Sequence, residues 1–103
     1  MRIFLVSSDN LPIALISHDY LRGLYCCRSK NESFRRAFDI NVQPLHKFVK
    51  SGNDTNMVSS EITDYDWIDP IIKKLSNDKW FFKELDLKEN MSSFEELVDT
   101  HLS

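Results

Sequence analysis

The chain has 103 residues, of which 42% are hydrophobic, 12% aromatic and 28% charged, with a formal net charge of −3. That length supports one hydrophobic core rather than two, and no apolar run approaches the roughly 20 residues that span a bilayer. Two Gly and three Pro leave no composition for long linkers or low-complexity segments.

The opening Met1-Arg2-Ile3-Phe4-Leu5-Val6 has an apolar run of only four residues, shorter than the core of a signal peptide, so the expected location is cytoplasmic. Ile3–Val6 is rich in β-branched and aromatic side chains and predicts a strand. Ser7-Ser8-Asp9-Asn10 is turn chemistry, and Pro12–Ser17 is a second strand-length run, so residues 2–6 and 12–17 are expected to pair as a hairpin. Tyr20–Cys27 fits either period; Gly23 and the aromatics favour a third strand. Asn31–Asp39 predicts a short helix with Phe34, Ala37 and Phe38 on one face. Pro44 suits the first turn of another helix, with Leu45, Phe48 and Val49 as its apolar face and Gly52 as its stop. Ser51–Asn56 reads as a loop and Met57–Thr63 as one more strand.

Asp69-Pro70 opens a helix, with Asp69 as cap, Ile71, Ile72 and Leu75 as apolar positions and Asn77-Asp78 as its end. Lys79–Leu87 is apolar-rich without a decisive period. Ser92 with Glu95 has capping-box spacing, which predicts a last helix over 92–102 that faces inward through Phe94, Leu97, Val98 and Leu102. Strands come first and helices after. The expected fold is therefore α+β: a single domain over 1–103, with a small sheet from N-terminal strands packed against several short helices.

The charge is unevenly distributed. Residues 1–50 carry eight Lys/Arg against four Asp/Glu, which is +4. Residues 51–103 carry five Lys against twelve Asp/Glu, which is −7, and no arginine follows Arg36. Such asymmetry suggests a surface suited to a basic partner. The acids concentrate around Glu61-Ile62-Thr63-Asp64-Tyr65-Asp66-Trp67-Ile68-Asp69, where carboxylates that can pair with Arg or Lys interleave with aromatics of the kind that anchor interfaces. Glu61, Asp64, Tyr65, Asp66 and Asp69 are the candidate partner-binding residues. The structural alternative for the same stretch is a solvated loop in which an Asp caps a helix and Trp67 packs into the core. Both hold together if Trp67 points inward while Asp64 and Asp66 point outward. Glu95 and Glu96 have a structural explanation as acids at a helix start.

Two other chemistries are open to these residues. Arg22, Arg28, Lys30, Arg35 and Arg36, with Tyr20, Tyr25 and Phe34, form a local basic excess that could contact nucleic acid or a polymerase, as in a phage or bacterial regulatory adaptor. The strongly basic balance usual for nucleic-acid binding is absent, so the expected partner is a protein. His18, His46 and His101 could in principle serve acid–base catalysis, but their spacing forms no motif, and the expectation is a protein without enzymatic activity. Cys26 and Cys27 are adjacent. In a strand they point to opposite faces, and they match neither zinc-ligand spacing nor a disulfide with each other, so neither metal nor cofactor is expected. No glycine-rich phosphate loop can be built from Gly23 and Gly52.

In size, acidity and lack of a catalytic motif the chain resembles the immunity proteins of bacterial contact-dependent inhibition and related toxin systems. The resemblance implies a bacterial, cytoplasmic inhibitor that covers a basic toxin, such as a nuclease, with its acidic second half. Such pairs use charge to speed association and to fix register.

Overall fold

A computed structural model describes residues 1–42, 48–51, 54–76, 79–86 and 93–102; for 48–51, Ser60 and Glu61 it describes the backbone only. In chain order the elements are β1 (Arg2–Ser8), β2 (Leu11–Asp19), β3 (Leu24–Ser29), α1 (Glu32–Val42), β4 (Phe48–Ser51), β5 (Asp54–Val58), a 3-10 turn (Ser60–Thr63), α2 (Asp69–Leu75), β6 (Phe81–Leu85) and α3 (Phe94–Leu102). The six strands form one antiparallel sheet in the order β4-β5-β3-β2-β1-β6.

The β1–β2 hairpin follows from its turn. Asp9 and Asn10 adopt φ of 52° and 66°, the left-handed pair that a two-residue turn needs and that Asp and Asn tolerate best. Register then fixes the faces. Arg2 pairs with His18, Phe4 with Ile16 and Val6 with Ala14 on one face, while Ile3 with Ser17 and Leu5 with Leu15 point to the other. On the first face Phe4, Val6, Ala14, Ile16, Tyr25, Cys27 and Met57 meet Phe34, Phe38 and Val42 of α1, Ile62 of the 3-10 turn, Ile68, and Ile71 and Leu75 of α2. On the second face Ile3 and Leu15 meet Val98 and Leu102 of α3. The sheet is thus covered by helices on both faces. The chain's radius of gyration, 12.7 Å, matches the roughly 13 Å of one compact body of this length.

The α+β expectation holds, with three α-helices among the described residues. The strands-then-helices order does not, because β4, β5 and β6 interleave with the helices. Tyr20–Gly23 is a turn and the third strand starts at Leu24. Asn31 caps α1 by accepting the Phe34 N–H at 2.9 Å, and the helix runs three residues past Asp39 to Val42. The helix expected from Pro44 is corrected where it can be seen. Phe48 and Val49 lie in β4, opposite Met57 and Asn56 of β5, while Pro44, Leu45 and Gly52 lie outside the described residues. The expected loop Ser51–Asn56 is largely strand, and of Met57–Thr63 only Met57 and Val58 are strand before the 3-10 turn. Cross-strand pairing overrides the local reading of these short segments.

Asp69 does not cap α2. The capping position is Ile68, with no side-chain cap, and Pro70 sits in the first turn. The start of α3 is capped by Ser93, whose Oγ accepts the Glu96 N–H at 3.2 Å; Ser92, like Asn77 and Asp78, lies outside the described residues. Among the described residues no helix is long and apolar enough to cross a membrane.

Candidate functional site

The site is organised by Arg2, the one cation of β1, directly before the apolar run Ile3–Val6. Alternation places it on the first face of β1, beside Phe4, where its guanidinium is nearly buried. Its Nε and Nη2 donate to Glu84 Oε2 and Oε1 at 3.0 and 2.8 Å, a two-pronged grip on β6. Its Nη1 donates to Asp69 Oδ1 at 2.9 Å and to the Tyr65 carbonyl at 3.0 Å. The same group lies over the Tyr65 ring, 4.3 Å from its centroid, and near the Phe4 ring at 5.0 Å. Tyr20 closes edge-on against Tyr65 at 5.1 Å. Bonding to Arg2 lowers the Glu84 carboxyl below its ordinary value and so favours its ionised form.

Residues 64–68 form turns between the 3-10 segment and α2. The Trp67 N–H donates to the Asp64 carbonyl and the Asp69 N–H to the Asp66 carbonyl, both at 3.1 Å. This geometry sends Trp67 inward, edge-on to Tyr25 at 5.0 Å and against the main core. Asp64 and Asp66 point outward on either side of Tyr65, which remains 55% exposed. Among the described residues no cation forms an ion pair with Asp64 or Asp66. Two carboxylates, those of Asp69 and Glu84, therefore grip the guanidinium that holds Tyr65, and the exposed Asp64 and Asp66 are the chain neighbours of that tyrosine.

Of the five residues expected from sequence, Tyr65 and Asp69 are brought together by Arg2, and Asp64 and Asp66 flank them. Glu61 lies on the 3-10 turn, and its side chain is outside what is described. Arg2, Glu84 and Tyr20 belong to the cluster but were not among the expected residues. The available signal was Arg2 itself, a charge that directly precedes an Ile-Phe-Leu-Val run and has to find carboxylates somewhere.

Among the described residues the opposite charges of the two halves are in part paired with each other. Cations of the first half meet acids of the second. Arg2 takes Asp69 and Glu84, and Arg28 takes Asp54 and Glu95, the latter at 3.0 Å. Asp64 and Asp66, on either side of Tyr65, are exposed acids of the second half that form no such pair among the described residues. The basic stretch is likewise dispersed. Arg22 sits in the β2–β3 turn near Asp19, Arg28 on the second face of the sheet, and Arg36 on α1 near Glu32. Lys30 donates to the Leu102 carbonyl at the end of α3.

His18 and His101 do not converge. His18 is fully buried on the first face, whereas His101 lies on α3 across the sheet; His46 is outside the described residues. Cys26 and Cys27 occupy opposite faces of β3, Cys27 buried and Cys26 half-buried. Burial raises both thiols; Cys26 is pushed up to about 12, with Asp54 adding to the effect and Arg28 opposing it. Among the described residues no three His, Cys, Asp or Glu side chains group to hold a metal ion.

Comparison with protein-family models, with curated proteins and with solved structures finds no match to the chain.

Proposed function

We propose that the chain is an immunity- or antitoxin-type protein. In this reading it binds and neutralises a basic toxin domain, with a nuclease as the leading class, in the bacterial cytoplasm. The observation that carries the reading is Tyr65. An aromatic ring more than half exposed is held against a nearly buried guanidinium and a second tyrosine, with Asp64 and Asp66 on either side. A pre-ordered aromatic anchor with an exposed carboxylate on each neighbouring residue suits a surface of Arg and Lys. The ring would supply the short-range contact, and the acids would steer the encounter.

The test is site-specific crosslinking. A photo-reactive phenylalanine at position 65 is used in the native host, and the captured protein is identified and purified. Support is a stoichiometric basic protein whose toxicity is relieved by the wild-type chain and not by Asp64→Lys/Asp66→Lys. In that pair the charge reversal slows association, and added salt weakens the wild-type complex. Capture of nucleic acid, or of a protein whose binding rate ignores both charge reversal and salt, overturns the reading.

A further inference from the structure

The segment that carries the acids is held at two points by one cross-strand pair. Arg2 and His18 face each other in the β1–β2 register, on the same face of the sheet. Arg2 donates to the Tyr65 carbonyl at 3.0 Å. His18 Nε2 donates to the Ile62 carbonyl at 2.7 Å, three residues earlier. The His18 ring also packs on Trp67 at 5.5 Å, on Tyr20 at 5.9 Å and on Tyr25 at 6.1 Å. Two neighbouring side chains thus set the path of residues 62–65 and, through Trp67, the turn that follows.

His18 can make this contact as a neutral ring with its proton on Nε2. Its Nδ1 is buried and has no hydrogen-bond partner among the described residues. A second proton would go on Nδ1, where no acceptor among the described residues awaits it. The charged groups that bear on the ring are Arg2 and the chain's amino terminus from β1, both opposing an added positive charge, and Asp19 from β2, which favours it. The remaining faces are Tyr20, Tyr25 and Trp67, none of which carries a charge at neutral pH.

We propose that the Arg2–His18 pair is a two-point clamp on the Ile62–Asp69 segment whose His18 arm opens on protonation, so that the acidic face is ordered at neutral pH and loosened in mild acid. His18 is a positioning residue, acting on the face through the Ile62 carbonyl and the Trp67 ring. Burial holds its imidazole below its ordinary value of 6.5 and outweighs the bond to the Ile62 carbonyl, which by itself favours the protonated ring, in keeping with a ring that is neutral in the closed clamp and takes its proton on opening. The clamp is a property of the free protein. Only its consequence, acid-triggered release of a basic partner, rests on the function proposed above.

The experiment uses the free, full-length chain and is therefore independent of any partner. The His18 ring is titrated by NMR between about pH 7.5 and pH 4.5, and protection of the Trp67 and Asp69 amides is followed alongside protection of the paired amides of β1 and β2. The expected His18 midpoint lies below 6.5. Protection at Trp67 and Asp69 is expected to fall on the order of tenfold beyond any change in β1 and β2, following the same midpoint. In His18→Gln, which can still donate to the Ile62 carbonyl, the acid-dependent loss disappears. If that variant does not fold, the wild-type titration decides alone. A His18 midpoint at or above 6.5, a ring that stays neutral throughout, or Trp67 and Asp69 amides that do not follow the ring would each overturn the clamp.

Discussion

Replacing Arg2 with Met keeps an unbranched side chain beside Phe4 and removes the guanidinium. Four hydrogen bonds and two ring contacts disappear with it. The partners limit the loss. The Glu84 and Asp69 side chains are 42% and 50% exposed and can return to water, so each ion pair is worth only about 0.2–1 kcal/mol. The bond to the Tyr65 carbonyl adds about 1 kcal/mol and the ring contacts about 0.5–1 kcal/mol. Against these stands the cost of burying a guanidinium, which Met does not bear. The expected net loss is about 1–3 kcal/mol, a fall in melting temperature of roughly 5–15 °C for a domain of this size. Chemical denaturation of Arg2→Met, Glu84→Gln and the double variant measures it, and the cycle should return a coupling of about 0.5–2 kcal/mol. A single variant within about 0.5 kcal/mol of wild type, together with zero coupling, would show that Arg2 does not organise the cluster.

Gly23 has φ +66°, and a Cβ there would lie 2.3 Å from the Ser59 carbonyl oxygen, so Gly23→Ala should cost about 2–4 kcal/mol; a neutral result in a melting experiment would contradict this turn. Cys26 and Cys27 in the native protein should react with a thiol reagent at about pH 8 some hundred- to thousandfold more slowly than a free cysteine, because little thiolate forms at either; rapid labelling at Cys26 would refute its burial. Asp64→Lys/Asp66→Lys should leave stability within about 0.5 kcal/mol, since both acids are exposed; a larger loss would mean that they support the fold. Below the ordinary Glu84 value of 4.5, the unfolded chain takes up the proton that Arg2 keeps off Glu84 in the fold, so stability should decline as pH falls further. That part of the acid dependence should be absent in Glu84→Gln.

The sequence alone determined the elements whose signals are local. The β1–β2 hairpin was legible because the apolar runs flank a turn of Asp9 and Asn10, which tolerate positive φ. Helix α3 was legible because Phe94, Leu97, Val98 and Leu102 keep helical spacing, although the start expected from Ser92 and Glu95 is capped by Ser93. The outward Asp64 and Asp66 beside an inward Trp67 were likewise one of the arrangements open to that stretch. Strands β4 and β6, and β5 ahead of Met57, escaped because their patterns are set by neighbours. Thr55 is buried through its bond to Asp39 of α1 at 3.0 Å, and β6, at the sheet edge, exposes Phe81, Lys83 and Glu84 without alternation. The fate of the charges was decided by tertiary structure. The sequence shows opposite halves, but Arg2 reaches Glu84 across 82 positions and Arg28 reaches Glu95 across 67. A charge is free to act outward only where folding brings no counter-charge to it, and that condition depends on distance in space, which composition does not contain.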